Sequence, residues 1–331
     1  MRVFVTGASG WIGSAVIPEL IAAGHDVIGL ARSDASAAAV AATGAEALRG
    51  TLLNLDALRA AAAASDGVIH LAFQHDIAFS GRFQEAADTD RRAVDALAET
   101  LAGSGRPLVI ASGTTGVALG RVATERDGHD LSASEHLAGG PRTRATTAER
   151  VLSLAARDVR SSVLRLPPTV HGDGDHGFMA ALVAIARQRG VSGYIDDGSN
   201  RWAAVHRLDA AKLFRLALEK ATAGSTLHAI ADEGVPIRDV AEVIGRHRTC
   251  RRTPSLATPQ ASTSAGWRIS LRWTPLRRAR GRASCWSGSR PSQGSSKIWT
   301  RVTTSSTHPL EARAGLGGAS LWLLSEWRHA D

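Results

Sequence analysis

Cysteine is nearly absent from this 331-residue chain: Cys250 and Cys285 are the only two, and neither a disulfide framework nor a cysteine-built metal site follows from them. Tyrosine occurs once, as Tyr194. No apolar run approaches the length of a membrane span, and no basic segment followed by a long apolar core stands at the N-terminus, so a cytoplasmic protein is expected. Acidic residues are missing altogether between Arg248 and Leu310. That absence matters for the overall charge of +8, which by itself would suggest a nucleic-acid or anionic-membrane partner. Residues 248–331 hold 14 of the 39 Lys and Arg but only 3 of the 31 Asp and Glu. The first 247 residues therefore carry 25 basic against 28 acidic side chains, a net of −3, and the excess of +11 belongs to the tail. A nucleic-acid role finds no support in the body of the chain.

What is present begins with Val5-Thr6-Gly7-Ala8-Ser9-Gly10-Trp11-Ile12-Gly13. Residues 1–5 read as a short buried strand, and Ala15, Val16, Leu20 and Ile21 set the apolar face of a following helix. Between them Gly7 permits a tight turn, Gly10 allows backbone to approach a phosphate, and Gly13 lets the helix pack close to the strand. The helix start offers free N–H groups and a positive dipole end to an anion. Gly24-His25-Asp26 then leads into a second strand at Val27 to Ala31.

The T-G-x-x-G-x-x-G spacing resembles the extended and atypical short-chain dehydrogenase/reductase superfamily, which includes NAD-dependent epimerases and dehydratases, over about residues 1–247. The resemblance implies an α/β fold, a doubly wound parallel Rossmann sheet binding NAD(P), with a small C-terminal substrate region that is incomplete here. Cofactor contacts are expected from Gly7, Ser9, Gly10, Trp11, Ile12 and Gly13. Arg32, where the second strand ends, replaces the acidic residue that would bind ribose hydroxyls and favours the 2′-phosphate of NADP over NAD; a solvated loop arginine is its plainer reading. A third strand is expected near residues 47–52, with Leu52 as the apolar adenine contact. A fourth, residues 68–72, ends on Ala72 beside the cofactor, with His70 packed in the core. A helix over residues 89–102 should cover the sheet with Ala93, Val94, Leu97 and Leu101.

The fifth strand, residues 107–111, runs into Ser112-Gly113-Thr114-Thr115, where the resembling family uses a Ser or Thr to hold the substrate oxygen; Ser112 and Thr114 both qualify. The usual proton donor of that family, the Tyr of Y-x-x-x-K, has no counterpart, because position 198, four residues after Tyr194, is Gly. An atypical subgroup with H-x-x-x-R matches only in its arginine, Arg144, which could hold ribose or phosphate but is a poor acid. A sixth strand leads through Pro167 and Pro168, the segment that lies along the nicotinamide in the family. Asp173 to Phe178 reads as a polar lid rather than a metal loop. The stretch 197–209 resembles the substrate-contacting V-H-x-x-D element, in which Asp209 is expected to cap a helix and His206 either packs or transfers protons.

From about His247 the chain changes character, with six of the eight tryptophans, abundant Ser, Thr and Arg, and no sustained periodicity. Permissible codons for residues 261–267, read from the third base of each codon, spell E-H-F-G-W, and later stretches likewise yield acidic, apolar-periodic sequence. Residues 248–331 are accordingly expected to be an out-of-frame, irregular basic tail, which the coding DNA around codons 245 to 250 would settle. The function expected is an NAD(P)-dependent oxidoreductase or epimerase/dehydratase-like enzyme acting on a small carbonyl, hydroxyl or nucleotide-sugar-like substrate. The alternative is a dinucleotide-binding sensor without turnover. The expected partners are the small-molecule substrate and a second copy in a homodimer, with no nucleic acid, membrane or metal.

Overall fold

The computed structural model describes residues 1–115, 117, 121–128, 140–247 and 251–252, the last two by their backbone. The expected out-of-frame tail lies outside the described residues apart from that pair. The strands are β1 (Arg2–Thr6), β2 (Asp26–Ala31), β3 (Glu46–Arg49), β4 (Gly67–His70), β5 (Pro107–Gly113), β6 (Arg160–Leu166), β7 (Thr169–His171), β8 (Val191–Ser192), β9 (Arg201–His206), β10 (Ser225–His228), β11 (Asp232–Pro236) and β12 (Arg251–Arg252). The helices are α1 (Gly13–Ala22), α2 (Asp34–Ala41), α3 (Leu55–Ala63), α4 (His75–Phe79), α5 (Phe83–Leu101), α6 (Gly140–Ser153), α7 (Phe178–Arg189), α8 (Arg207–Lys220) and α9 (Ile237–His247).

Seven strands form one parallel sheet in the order β10-β6-β5-β4-β1-β2-β3. Both faces are covered, which is why these strands read as continuous apolar runs. Successive side chains point to opposite faces. Val3 and Val5 of β1 join α1 and α8 in one core layer, while Phe4 joins α3, α5 and α6 in the other. A second sheet, β11-β9-β7, together with α7, α9 and the β8–β12 pair, makes the smaller C-terminal region beside the carboxyl ends of the main strands. This is the doubly wound architecture expected from the sequence.

Three local expectations are corrected. β3 ends at Arg49 and not at residue 52, because Gly50 follows and Asn54 Oδ1 accepts from Thr51 N and Thr51 Oγ1, turning the chain into α3. Helix α5 starts at Phe83, six residues before the expected start, since Ala86 and Ala87 extend its buried stripe. Helix α8 begins at Arg207 with His206 as its cap: His206 Nδ1 accepts from Leu208 N at 3.3 Å. Asp209 is therefore not the cap; it lies in the first turn, where its charge suits the helix dipole.

Candidate cofactor and substrate site

The order of the sheet reverses between β1 and β4, and the crevice outside the carboxyl ends at such a point is where doubly wound sheets take ligands. Thr6 to Gly13 lies at that crevice. Gly7 has φ of +68°, and a Cβ there would stand 2.7 Å from Ala72 N. Gly13 has no room for a side chain against the carbonyls of Gly7 and Ala8. At Gly10 a Cβ would meet only Gly7 O, at 3.1 Å, so the space beyond that backbone is open. No side chain caps α1; Ser14 N and Ala15 N donate to Gly10 O and Ile12 O, and the positive dipole end of the helix faces the crevice where an anion would sit. The cradle thus fits a dinucleotide pyrophosphate. Ser9 and Gly10 are exposed and Ile12 packs against the core.

Trp11 joins this loop to the substrate side. Its Nε1–H donates to Val170 O at 2.8 Å, Arg207 lies 4.4 Å over its ring, and His176 meets it edge-on at 5.3 Å. The polar segment of residues 173–178 is thereby set against the glycine loop, with Asp175 Oδ1 accepting from Gly177 N.

Behind the crevice runs a buried polar chain. Thr6 Oγ1 accepts from Leu71 N and Ala72 N, both at 3.2 Å, so its single proton goes to His70 Nδ1 at 2.9 Å. His70 must then donate from Nε2 to Asp90 Oδ1, at 3.2 Å. Asp90 pairs in turn with Arg144 at 3.3 Å, and Arg144 also donates to Ala111 O at 3.1 Å and lies 4.2 Å over the Phe73 ring. Burial alone would raise the Asp90 carboxyl, but the Arg144 charge and the His70 hydrogen bond outweigh it and hold it below the ordinary value. His70 is in the core as expected, with hydrogen bonds on both ring nitrogens. Arg144 is pinned beside the end of β5 by a carboxylate, a carbonyl and an aromatic face.

At that end, Ser112, Arg165 and His228 are in register across β5, β6 and β10, so all three share the face toward α6. Arg165 is 1% exposed and donates to Asp127 O at 2.6 Å, fastening residues 121–128 against the strand ends. Thr114 follows directly after β5, its N–H donating to Leu166 O. The structure thus brings Ser112, Thr114 and Arg144 to one edge.

Pro167 is buried directly after β6, and Ala72 lines the Gly7 turn. Leu52 is 6% exposed and packs with Ile28, Leu30 and Leu58, which makes it mainly a core residue. Arg32 stands at the end of β2 with Asp76 of α4 as its partner, 3.1 Å away. His206 caps the start of α8, its ring edge-on to His171 at 5.4 Å. Asp90, Arg165 and Asp76 were not singled out by sequence; the only signal for Asp90 was a carboxylate on what proves to be the buried side of an amphipathic helix.

The family model for the NAD dependent epimerase/dehydratase family matches residues 3–230. The chain belongs to that family. Among its relatives, an uncharacterized protein of Schizosaccharomyces pombe is 47% identical over 246 residues, 74% of this chain and 80% of that one. A 4-hydroxy-2-methyl-3-oxo-4-farnesyl-3,4-dihydroquinoline-1-oxide ketoreductase of Stigmatella aurantiaca is 28% identical, over 72% of this chain and 70% of its own length. Of solved structures, MoeE5 in complex with UDP-glucose and NAD is similar with a TM-score of 0.62 at 23% identity, covering 76% of this chain and 83% of that chain. The family's NAD-binding sheet is the architecture seen here. Among the described residues no helix is long and apolar enough to cross a membrane.

Proposed function

We propose that this member of the epimerase/dehydratase family is an NAD(P)-dependent oxidoreductase that prefers NADP and works without a tyrosine-lysine dyad. Its substrate is a small molecule with a carbonyl or hydroxyl at the reacting carbon, nucleotide-sugar-like substrates included. The observation that supports this best is the pinned Arg144. Family members place a lysine four residues after the catalytic tyrosine to hold the nicotinamide ribose, and Arg144 stands four residues after Gly140 on α6 with its guanidinium fixed beside β5. Arginine keeps its proton at any working pH, so it can hold and orient hydroxyls or phosphate but cannot serve as the acid. When bound, the nicotinamide supplies or accepts the hydride.

The glycine loop then binds the pyrophosphate, Thr114 and Ser112 hydrogen-bond the substrate oxygen, and Pro167 keeps the backbone extended along the nicotinamide. His206 is the remaining proton-transfer candidate, held at the start of α8 by the Leu208 N–H that its Nδ1 accepts. The name of the ketoreductase relative and the UDP-glucose bound to MoeE5 point to the two substrate classes to assay. NADPH binding followed by fluorescence should be lost in Gly10→Val, because a side chain there fills the pyrophosphate space. A variant that bound as tightly as wild type would overturn the cradle assignment. The missing dyad favours one second reading, a dinucleotide sensor; normal cofactor binding with no turnover across carbonyl and nucleotide-sugar panels would establish it.

A further inference from the structure

The end of β2 carries more charge than Arg32 alone. Arg49, in register with Ala31 on the neighbouring strand β3, reaches Ala31 O at 3.4 Å and pairs with Asp34 at 3.3 Å. Arg32 leaves the same strand end and pairs with Asp76 at the start of α4, across the crevice from β2. Two guanidinium groups therefore flank the place where a doubly wound fold receives the 2′ position of the adenosine ribose, and each has a carboxylate as partner. Ser33, between them, caps α2 with its hydroxyl on Ser36 N.

These pairs are exposed. Side-chain accessibility is 70% for Arg32 and 59% for Asp76, and 49% for Arg49 and 101% for Asp34. Exposed ion pairs hold weakly and are screened by salt, so a phosphate dianion can displace either carboxylate. The displaced carboxylate does not leave, however. Asp76 is fixed to the first turn of α4, where the Ile77 N–H and then Arg32 keep its carboxyl below the ordinary value, so it is ionised at neutral pH. A 2′-phosphate on Arg32 would sit beside that charge, whereas a 2′-hydroxyl would not suffer from it.

We propose that Asp76 is a specificity-determining residue: it competes with the 2′-phosphate for Arg32 and holds down the preference for NADP over NAD, with Asp34 doing the same at Arg49. The proposal rests on the dinucleotide reading of the crevice and deepens it. Arg32 then gives a graded preference rather than an absolute one, and the preference depends on ionic strength. Neither carboxylate touches the core, so removing its charge should leave the fold intact.

The test is calorimetric titration of the full chain with adenosine 2′,5′-bisphosphate and with 5′-AMP, which differ only in the 2′-phosphate, followed by NADPH and NADH. Asp76→Asn should tighten the bisphosphate and NADPH by about fivefold while changing 5′-AMP and NADH less than twofold, a gain of the size an exposed ion pair can supply. Asp34→Asn should act in the same direction and add to it. Arg32→Ala should weaken the bisphosphate and abolish the benefit of Asp76→Asn. Equal tightening of all four ligands, or no change in the ratio between bisphosphate and 5′-AMP, would overturn the proposal. A wild type that bound adenosine fragments but showed no hydride transfer would remove the oxidoreductase reading and leave this one standing; a wild type that bound none of the four ligands would remove both.

Discussion

Asp90 and Arg144 form the pair whose removal should tell most, because the two sides of it are buried unequally. The Asp90 side chain is 6% exposed and that of Arg144 24%. Replacing Arg144 by Gln leaves a carboxylate in the core with the His70 Nε2–H bond and the neighbouring His75 to offset its burial, and breaking a buried pair from one side costs about 3–5 kcal/mol. The partial exposure of Arg144 and the surviving hydrogen bond place the expected loss at the lower end, about 3 kcal/mol at pH 7, or roughly 6–12 °C in Tm for a domain of this size. The pH dependence carries the sharper test. In the wild type the Asp90 carboxyl titrates below its ordinary value of 3.8, so its stabilisation is present above that value and is lost as pH falls through the folded one. Without Arg144, burial is the largest influence left, opposed by His70 and His75, and the expected outcome is a folded value raised above 3.8, with the folded state binding the extra proton and stability falling as pH rises, by at most about 1.4 kcal/mol per unit across that window. Urea unfolding at pH 4.5 and pH 7 should therefore show Arg144→Gln recovering toward wild type at the lower pH. Asp90→Asn combined with Arg144→Gln should regain at least half of the pH 7 loss, since no buried charge is left unpaired. A loss equal at both pH values, or strictly additive losses in the double variant, would refute the pairing.

Two further outcomes follow from histidines placed differently. His206→Ala should cost about 1 kcal/mol of stability by uncapping α8, and His206→Asn, which keeps an acceptor at that position, should restore most of it; if Asn restores stability but not turnover, the ring transfers protons, and if it restores both, His206 is a cap alone. Burial, assisted by the Arg165 charge, holds His228 below its ordinary 6.5 despite the opposing pull of Glu125 and Asp127, so the unfolded chain binds a proton that the folded chain does not. Stability should accordingly be full above pH 6.5 and decline below it, with His75, lowered first by burial and then by Arg144, adding to the slope. Tm measured between pH 7 and pH 5 should fall less steeply in His228→Leu, and an unchanged slope would count against the buried neutral imidazole.

The main sheet was legible because its signals are local. Val3, Phe4 and Val5 are apolar on both faces, as a strand covered on both sides requires, and the glycine turn that follows bounds the run at strand length. The glycine spacing from Gly7 to Gly13 encodes a turn whose constraints are met largely within a few residues, and the backbone of Leu71 and Ala72 closes on it from the end of β4. Boundaries were harder where chemistry outweighed hydropathy. Leu52 and Leu53 look like strand, yet Gly50 and the Thr51–Asn54 hydrogen bonds end the ladder before them. At α8 the V-H-x-x-D pattern pointed to Asp209 as the cap, and the role of His206 in its place depends on backbone angles that composition does not reveal.

The site divides along the same line. Gly10, Ser112 and Thr114 sit on turns next to strand ends, so their placement follows once the strands are known. The Thr6–His70–Asp90–Arg144 chain draws on β1, β4, α5 and α6, and none of its members has a meaning alone: His70 reads as an ordinary core residue, Asp90 as one carboxylate on a charged helix, and Arg144 as the remnant of a motif. Only their meeting makes the arginine a fixed group, because a guanidinium without Asp90 would have one carbonyl and one ring to hold it. The same holds for specificity at the adenosine end. Arg32 by itself argues for a 2′-phosphate, and Asp76, which arrives from α4 after two intervening strands, turns that argument into a balance between two anions competing for one cation.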